Sequence, residues 1–323
     1  MRALAVGLLL AAAVQLASAA PTPIPTPEPF SGMNAGTGDS TPIPVSEEDI
    51  TSQLVRPALF ARAVYCSSPV VETWSCGEPC DALGSNVKVL VAGGDDEKIP
   101  NFFVAYDQDK DTVVVAHQGT EPKNFLSDLN DLEIVQVGAN TTLLPGAGDD
   151  VKLHDGFAAT QGRTADLVLS TVQSALDSTG SKQLQVIGHS LGAAIASIDG
   201  VMLKMKLDPS IAITTTVFGL PRVGNQAWAD LVDSTLGSSF THVTNQNDPV
   251  PRVPPQFLGF QHPSNEVHIS AVDPTGNNAT ATFCPGQEND QCADSNNILD
   301  ASVTNHRGPY FANISMGNRF CPL

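Results

Sequence analysis

The stretch that decides the fold is Leu184-Gln185-Val186-Ile187-Gly188-His189-Ser190-Leu191-Gly192-Ala193-Ala194-Ile195-Ala196-Ser197. Its apolar, β-branched first part predicts a strand, and its small-residue second part predicts a helix that begins directly after the serine. Gly188 and Gly192 stand two positions on either side of Ser190, where so tight a turn leaves no room for larger side chains. The segment therefore predicts a nucleophile elbow that presents Ser190 at a helix N-terminus.

The patterns around this segment indicate the fold class. Further β-branched runs predict strands at 87–92, 102–106, 112–116, 214–218 and 240–244. A helix is predicted from about Asp155, with an apolar stripe formed by Leu167, Val168, Thr171, Val172, Ala175 and Leu176. Strands separated by helices of this length predict one α/β domain with a mostly parallel central sheet and helices on both faces.

The N-terminal region predicts export. Arg2, an apolar run over 3–14 and Ala17-Ser18-Ala19 form the pattern of a signal peptide covering 1–19. The alternative, a membrane anchor, needs about 20 apolar residues, and this run is shorter. Residues 20–45 contain seven prolines and predict a leader or propeptide, so the folded domain is expected over 46–323, beginning at the helix start Ser46-Glu47-Glu48-Asp49.

Charge and cysteine content limit the function further. Sixteen Lys and Arg against 34 Asp and Glu give a net charge of -18, which repels phosphate backbones and excludes nucleic acid as a partner. Six cysteines in a secreted chain predict disulfides rather than metal ligands, with 15 connectivities open. Sequons at Asn140, Asn278 and Asn313 are candidate glycosylation sites.

The acidic run at 107–111 and two aspartates on predicted helices are interpreted as structural rather than functional. Asp107, Asp109 and Asp111 are spaced as in a calcium loop, but Thr112 and Gln118 stand where such a loop has glycine and glutamate. A polar hairpin turn between two strands is therefore predicted there. Asp199 and Asp230 lie on predicted helices and are expected to be solvated.

A serine nucleophile needs a histidine base and an orienting carboxylate, which follow it in the order Ser, Asp, His in this type of fold. Of the four downstream histidines, His242 and His268 fall in strand-like runs. His306 lies in a turn-rich segment and is favoured, with His262 as the next candidate.

The carboxylate is expected to end a strand. Asp248, in Asn247-Asp248-Pro249-Val250-Pro251, is favoured because the residue before a proline is held extended. Asp273 also precedes a proline and is the alternative.

Several of these segments together resemble the secreted fungal class 3 lipases, an α/β-hydrolase family. The resemblance rests on the elbow, His117-Gln118-Gly119-Thr120, Leu153-His154-Asp155-Gly156-Phe157, the Asp248 segment, and late His306 with Tyr310-Phe311. It covers roughly Ser46 to the C-terminus and implies a triad of Ser190, Asp248 and His306.

The resemblance also implies other site residues and the cysteine pairing. It places the oxyanion hole at Thr120 and Leu191, and the chain departs from many relatives in having Gln118 in place of arginine. The implied disulfides are Cys66 with Cys321, Cys76 with Cys80, and Cys284 with Cys292.

The segment 121–132 occupies the position of the family's lid, with Glu121, Phe125, Leu126 and Leu129 as candidate lid residues. An ordinary packed helix start is the alternative for this segment. Its apolar face is small and has charged neighbours, which argues against strong interfacial activation.

The sequence thus predicts a secreted, extracellular serine carboxylic ester hydrolase without cofactor or metal, working as a monomer through an acyl-enzyme. The expected substrate is an acylglycerol or another acyl ester, with a lipid-water interface as the expected meeting place. A feruloyl esterase is the alternative, and a non-catalytic binding protein on a hydrolase scaffold is a further one. No stretch after the N-terminal region is predicted to span a membrane.

Overall fold

The computed structural model describes residues 40–95, 98–120, 134–296 and 298–322. Strands in these ranges are β1 Ile43–Pro44, β2 Val87–Gly93, β3 Phe102–Asp107, β4 Thr112–His117, β5 Gln136–Gly138, β6 Lys152–His154, β7 Gln183–His189, β8 Ala212–Phe218, β9 Phe240–Asn245, β10 Glu266–Val272 and β11 Ala279–Cys284. All six strands predicted from β-branched runs are present.

The central sheet is mixed, with a parallel middle. Nine strands pair in the order β1-β11-β10-β9-β8-β7-β4-β3-β2, and β5 pairs with β6 separately. The neighbours from β4 to β10 are parallel, whereas the pairs at both ends of the sheet are antiparallel. Because β4, β7, β8 and β9 run in one direction, their carboxyl ends lie at one edge of the sheet.

The helices in the described ranges are α1 Glu47–Asp49, α2 Arg56–Ala63, α3 Ser68–Glu72, α4 Glu78–Asp81, α5 Asp155–Gly162, α6 Ala165–Thr179, α7 Leu191–Lys206, α8 Gln226–Thr235 and α9 Val303–Arg307. A π-helical segment, Ile50–Val55, joins α1 to α2. Ser46 caps α1, since its side chain accepts a hydrogen bond from the backbone N–H of Asp49 at 3.0 Å.

The predicted helix from Asp155 is divided into α5 and α6. Its apolar stripe is confirmed by buried Val168, Val172, Ala175 and Leu176. The prediction that Leu167 belongs to the stripe is wrong, because this residue is 48% exposed. Position 167 lies beside the stripe rather than in it, so it faces solvent.

Helices cover both faces of the sheet, as predicted. On β4, Val113 and Val115 belong to a core shared with α6 and α8, whereas Val114 and Ala116 belong to a second core shared with α2. Both faces of this strand are buried, which explains why its sequence is apolar at every position from Val113 to Ala116 instead of alternating.

Three disulfides stabilise the chain, and they are the pairs that the family resemblance implies: Cys66–Cys321, Cys76–Cys80 and Cys284–Cys292. The first spans 255 residues and joins the end of α2 to the C-terminal segment. At the other end of the chain, Ile43 and Pro44 pair with Phe283 and Thr282 of β11. The last residues of the proline-rich segment are therefore part of the sheet.

The acidic run at 107–111 is a hairpin turn between antiparallel β3 and β4, as predicted. The Asp107 carboxylate accepts hydrogen bonds from Arg56 Nε at 2.6 Å and Nη2 at 2.8 Å. This ion pair ties the turn to α2. Among the described helices, none has the length and hydropathy that a membrane crossing requires.

Candidate active site

Ser190 lies on the sharp turn between β7 and α7, as the elbow predicts. Its backbone has φ 59° and ψ -126°, a conformation that is rare for a residue with a side chain. Its N–H donates to the carbonyl of Phe218 at 3.0 Å, which fixes the turn against β8. The side chain is buried rather than exposed on the surface, with 4% of the residue accessible.

The two flanking glycines are required by backbone contacts. A Cβ on Gly188 would lie 2.1 Å from the carbonyl oxygen of Gly192, and one on Gly192 would lie 2.2 Å from that of His117. Backbone atoms at these distances have no free rotation by which to move away. Strand β7, helix α7 and the end of β4 therefore approach each other only because both positions lack a side chain.

Asp248 and His306 meet at the carboxyl edge of the sheet. The Nδ1 atom of His306, on α9, lies 2.8 Å from Oδ2 of Asp248, which follows β9. The other carboxylate oxygen accepts from the backbone N–H of Val250 at 2.8 Å. Both side chains are nearly fully buried. The carboxylate therefore has a fixed orientation from which to hold the imidazole.

The alternative base and acid have other roles. Nε2 of buried His262 lies 2.7 Å from the carbonyl of Pro251, so it donates to the backbone. The Asp273 carboxylate accepts from the backbone N–H groups of Thr275 and Asn277 in its own turn, and hydrogen bonds, above all from the Thr275 side chain, lower its pKa to about 2. Both residues stabilise loops.

Several residues that the sequence did not single out hold the His306 segment in place. Asn245 Nδ2 donates to the carbonyls of Asn305 at 2.9 Å and Pro309 at 3.0 Å. Gly219 leaves room for the ring, because a Cβ there would lie 2.8 Å from Cε1 of His306. These contacts are between residues distant in sequence, so no local pattern reveals them.

The segment 118–120 passes directly over the serine. A Cβ on Gly119 would lie 2.7 Å from Cβ of Ser190. Buried Gln118 fixes this segment, since its side-chain oxygen accepts from the backbone N–H of Asn101 at 2.7 Å. Thr120 is half-buried, and Leu191 is the first residue of α7. A small pocket here is lined by Tyr65, Thr120, His189, His306, Arg307, Met316 and Gly317.

The candidate lid residues Glu121, Phe125, Leu126 and Leu129 lie outside the described residues. The three sequon asparagines, Asn140, Asn278 and Asn313, are all exposed.

The expectation that Asp199 is solvated is wrong. Asp199 is completely buried. Oδ2 of its carboxylate lies 2.8 Å from Nε2 of His117, and Oδ1 accepts from Gln161 Nε2 at 2.8 Å. Helix α7 is buried from Gly192 to Leu203, so this part of the helix has no solvent-exposed face on which the carboxylate could lie. Asp199 thus joins α7 to the end of β4 and to α5. Asp230 is exposed on α8, as expected.

A second buried polar group lies beneath the loop that follows Asp248. The rings of His242 and His262 stack with centroids 5.1 Å apart. Burial lowers the pKa of His242 to about 3 and that of His262 to about 4, whereas burial raises the pKa of Glu266 to about 7. Among the described residues, Glu266, Cys284 and Cys292 are grouped closely enough for a metal, but both cysteines are in a disulfide.

Known proteins share this architecture. A family model for lipase (class 3) matches residues 114–258. A secreted mono- and diacylglycerol lipase of Malassezia globosa is 30% identical over 260 residues, which are 78% of this chain and 78% of the relative.

Solved structures that resemble this chain are also lipases. The Rhizomucor miehei triacylglyceride lipase is 25% identical with a TM-score of 0.74, over 86% of this chain and 99% of that one. A triacylglycerol lipase whose catalytic centre is described as a serine protease triad is 26% identical with a TM-score of 0.73, over the same shares. With its α/β-hydrolase fold, this chain belongs to the class 3 lipase family.

Proposed function

We propose that this chain is a secreted lipase that hydrolyses acylglycerol esters at Ser190, with His306 as the base and Asp248 as its orienting carboxylate. The observation that carries the proposal is the 2.8 Å contact between His306 Nδ1 and Asp248 Oδ2 at the edge of the sheet where the Ser190 elbow lies. All three residues come from one chain, which supports a monomer as the working form.

The reaction follows from the positions of the protons. Nδ1 of His306 donates to Asp248, so the neutral ring carries its lone pair on Nε2 and can accept the Ser190 proton as the hydroxyl attacks the ester carbonyl. His306 then protonates the leaving alcohol, which departs and leaves the acyl group bound to Ser190 as the acyl-enzyme. Water repeats the sequence and frees the acid, while Asp248 stabilises the imidazolium in both steps.

The oxyanion is proposed to be bound by the backbone N–H groups of Thr120 and Leu191, with the Thr120 hydroxyl as a further donor. Position 191 begins α7, where N–H groups have no partner within the helix. Thr120 follows Gly119, whose backbone lies against Ser190. Donors fixed in advance at a developing oxyanion are commonly worth about 3 to 4 kcal/mol each to the transition state.

We propose that the substrate is met at a lipid–water interface. In support, the 3₁₀ turn Gln256–Leu258 in the loop after Asp248 exposes 85% of Phe257 and 42% of Leu258. Ile134 and Val135 are 46% and 48% exposed, and the neighbouring Gln136 Nε2 donates to Gly259 O at 3.1 Å, so the two apolar segments are adjacent. Together they offer apolar surface to acyl chains.

The decisive experiment compares wild type with Ser190→Ala on dioleoylglycerol and trioleoylglycerol emulsions and on p-nitrophenyl esters from acetate to palmitate. Ser170→Ala is the matched control, because Ser170 is exposed on α6 and bonds to Leu167 O. We expect Ser190→Ala to lose at least about 10³-fold in kcat while Ser170→Ala is unchanged. A folded Ser190→Ala protein with normal turnover would refute the assignment.

Methyl ferulate is included as a discriminating substrate. We expect the highest rates on long acyl chains and on the acylglycerols. A maximum on ferulate or on acetate would instead identify an esterase with a restricted pocket.

Processing is proposed to follow the sequence pattern. We expect cleavage after Ala19, retention of Ile43 and Pro44 because they pair with β11, and glycans at exposed Asn140, Asn278 and Asn313. N-terminal sequencing and mass spectrometry of the secreted protein, before and after glycosidase treatment, test each of these expectations.

A further inference from the structure

The residue before the nucleophile makes hydrogen bonds whose direction can be assigned. Nε2 of His189 lies 2.8 Å from the backbone carbonyl of His306, and its Nδ1 lies 2.5 Å from the hydroxyl of Tyr65. A carbonyl oxygen only accepts, so Nε2 of His189 carries the proton. Nδ1 of the neutral ring is then the acceptor, and the Tyr65 hydroxyl is the donor.

His189 and Tyr310 both contact the proposed base. The rings of His189 and His306 have centroids 4.5 Å apart and an interplanar angle of 33°. The hydroxyl of Tyr310 donates to the same His306 carbonyl at 2.9 Å. His306 is thus contacted on its ring by His189 and on its carbonyl by both His189 and Tyr310.

Tyr65 belongs to the same core cluster as Tyr310. It lies just after α2, next to Cys66 of the long disulfide, and is 3% exposed. A Cβ on Gly119 would lie 2.5 Å from its hydroxyl oxygen and 2.7 Å from Cβ of Ser190. The hydroxyl therefore lies between Gly119, which precedes Thr120, and the ring of His189.

We propose that Tyr65 and His189 are positioning residues for His306: the Tyr65 hydroxyl selects the His189 tautomer whose Nε2–H holds the His306 backbone, which fixes the base relative to Ser190. This inference rests on the proposed function. Neither residue needs to touch the ester.

Burial supports the neutral state that this arrangement requires. Burial and, second, the nearby His306 hold the pKa of His189 well below its ordinary value. His306 becomes positively charged during each half-reaction, and a second charge stacked against it would oppose that step. A neutral His189 permits the imidazolium to form, and Tyr65 stabilises this neutral ring through its hydrogen bond.

Removal of the single hydroxyl tests the proposal. Tyr65→Phe keeps the ring packing and removes only the donor to His189. Tyr106→Phe is the matched control. The Tyr106 hydroxyl donates to Asp111 at the β3–β4 turn, which is the opposite end of this hairpin from His117 and the site. Active-site concentration is measured by titration with a p-nitrophenyl phosphonate, so that kcat refers to correctly folded enzyme.

We expect Tyr65→Phe to lower kcat about tenfold, with KM for p-nitrophenyl butyrate within twofold of wild type, and Tyr106→Phe to change neither. A change in KM alone, or no change, would overturn the proposal. Ser190→Ala, measured in parallel, separates this result from a failure of the proposed function, because it loses activity whether or not Tyr65 matters.

A double-mutant cycle with His189→Gln tests whether Tyr65 acts through His189. The glutamine amide can replace the Nε2–H donor to the His306 carbonyl but has no tautomer for Tyr65 to select. We therefore expect Tyr65→Phe to have little further effect on kcat in the His189→Gln background. Additive losses would show that the hydroxyl acts independently of His189.

A second variant is available where His189→Gln folds poorly. Tyr310→Phe removes the other donor to the His306 carbonyl and leaves His189 intact. We expect its loss in kcat to be larger when combined with Tyr65→Phe than the product of the two separate losses, because the carbonyl then has neither support. Strictly multiplicative losses would contradict a shared role.

Discussion

Oδ2 of Asp248 lies 2.8 Å from Nδ1 of His306, although 58 residues separate them in the chain. The contact sets the tautomer of the ring, because Nδ1 must carry the proton that the carboxylate accepts. We predict that Asp248→Asn lowers kcat by about 10³- to 10⁴-fold, since the amide cannot stabilise the imidazolium and permits the wrong tautomer. Initial rates on p-nitrophenyl butyrate measure the effect.

The control for this change is Asp273→Asn, at the other aspartate that precedes a proline. Its carboxylate accepts only from groups of its own turn among the bonds described. We expect kcat of Asp273→Asn within twofold of wild type. A comparable loss in both variants would argue that Asp248 acts through folding.

The Gly188–Gly192 contact leads to a prediction on stability. A Cβ at position 188 would lie 2.1 Å from the Gly192 carbonyl oxygen, so β7 and α7 must separate in Gly188→Ala. We predict that the free energy of unfolding falls by about 3 kcal/mol or more, as for severe overpacking. Thermal melts and denaturant titrations measure this change.

Gly162→Ala provides the comparison. Gly162 ends α5, and a Cβ there would meet nothing within 4 Å. Alanine is the better helix former, so this variant should be neutral or more stable by about 0.5–1 kcal/mol. Equal destabilisation by both substitutions would contradict the steric explanation.

The strand–turn–helix of the elbow could be predicted, and Asp248 could be favoured as the acid, because both signals are local. Gly188, Ser190 and Gly192 lie within five residues, and Pro249 directly follows Asp248. Tyr65 could not be found in this way, because 124 residues separate it from His189. Its position depends on how α2 packs on the sheet, and the periodicity of apolar residues in the sequence does not predict that packing.

Asp199 shows a second limit of sequence reasoning. An acid on a helix is expected to face water, but α7 lies between the sheet and other helices and is buried on all sides over most of its length. Its partner His117 is 82 residues away in the chain. The polar contact that decides its environment is therefore a property of the tertiary structure.

This buried contact makes Asp199 a sensitive position. We predict that Asp199→Ala lowers the free energy of unfolding by about 3–5 kcal/mol, because His117 and Gln161 would lose their partner inside the core. Asp230→Ala is the control on exposed α8, where we expect a change within about 0.5 kcal/mol. Urea unfolding at pH 7 measures both, and similar values would show that the Asp199 contacts contribute little.

The stacked pair His242 and His262 predicts how stability depends on pH. Burial lowers the pKa of His262 from 6.5 to about 4, so between these values the unfolded chain binds a proton there that the folded protein does not. Stability therefore rises with pH through this window and is lost as the pH falls below 6.5. His242 and His268, with pKa values lowered by burial to about 3 and 4, act in the same direction. Glu266 acts in the opposite direction between pH 4.5 and 7, because burial raises its pKa to about 7.

His262→Gln isolates one of these contributions. The glutamine amide can still donate to the Pro251 carbonyl that Nε2 of His262 contacts at 2.7 Å, but it does not titrate. We predict that wild type loses about 2 kcal/mol more than His262→Gln when the pH falls from 6.5 to 5, while the other groups contribute to both proteins. Urea unfolding at these two pH values measures the difference. Parallel losses in the two proteins would mean that His262 binds its proton as readily in the folded protein as in the unfolded chain. A carboxylate such as Glu288 would then have to stabilise the charge as strongly as burial opposes it.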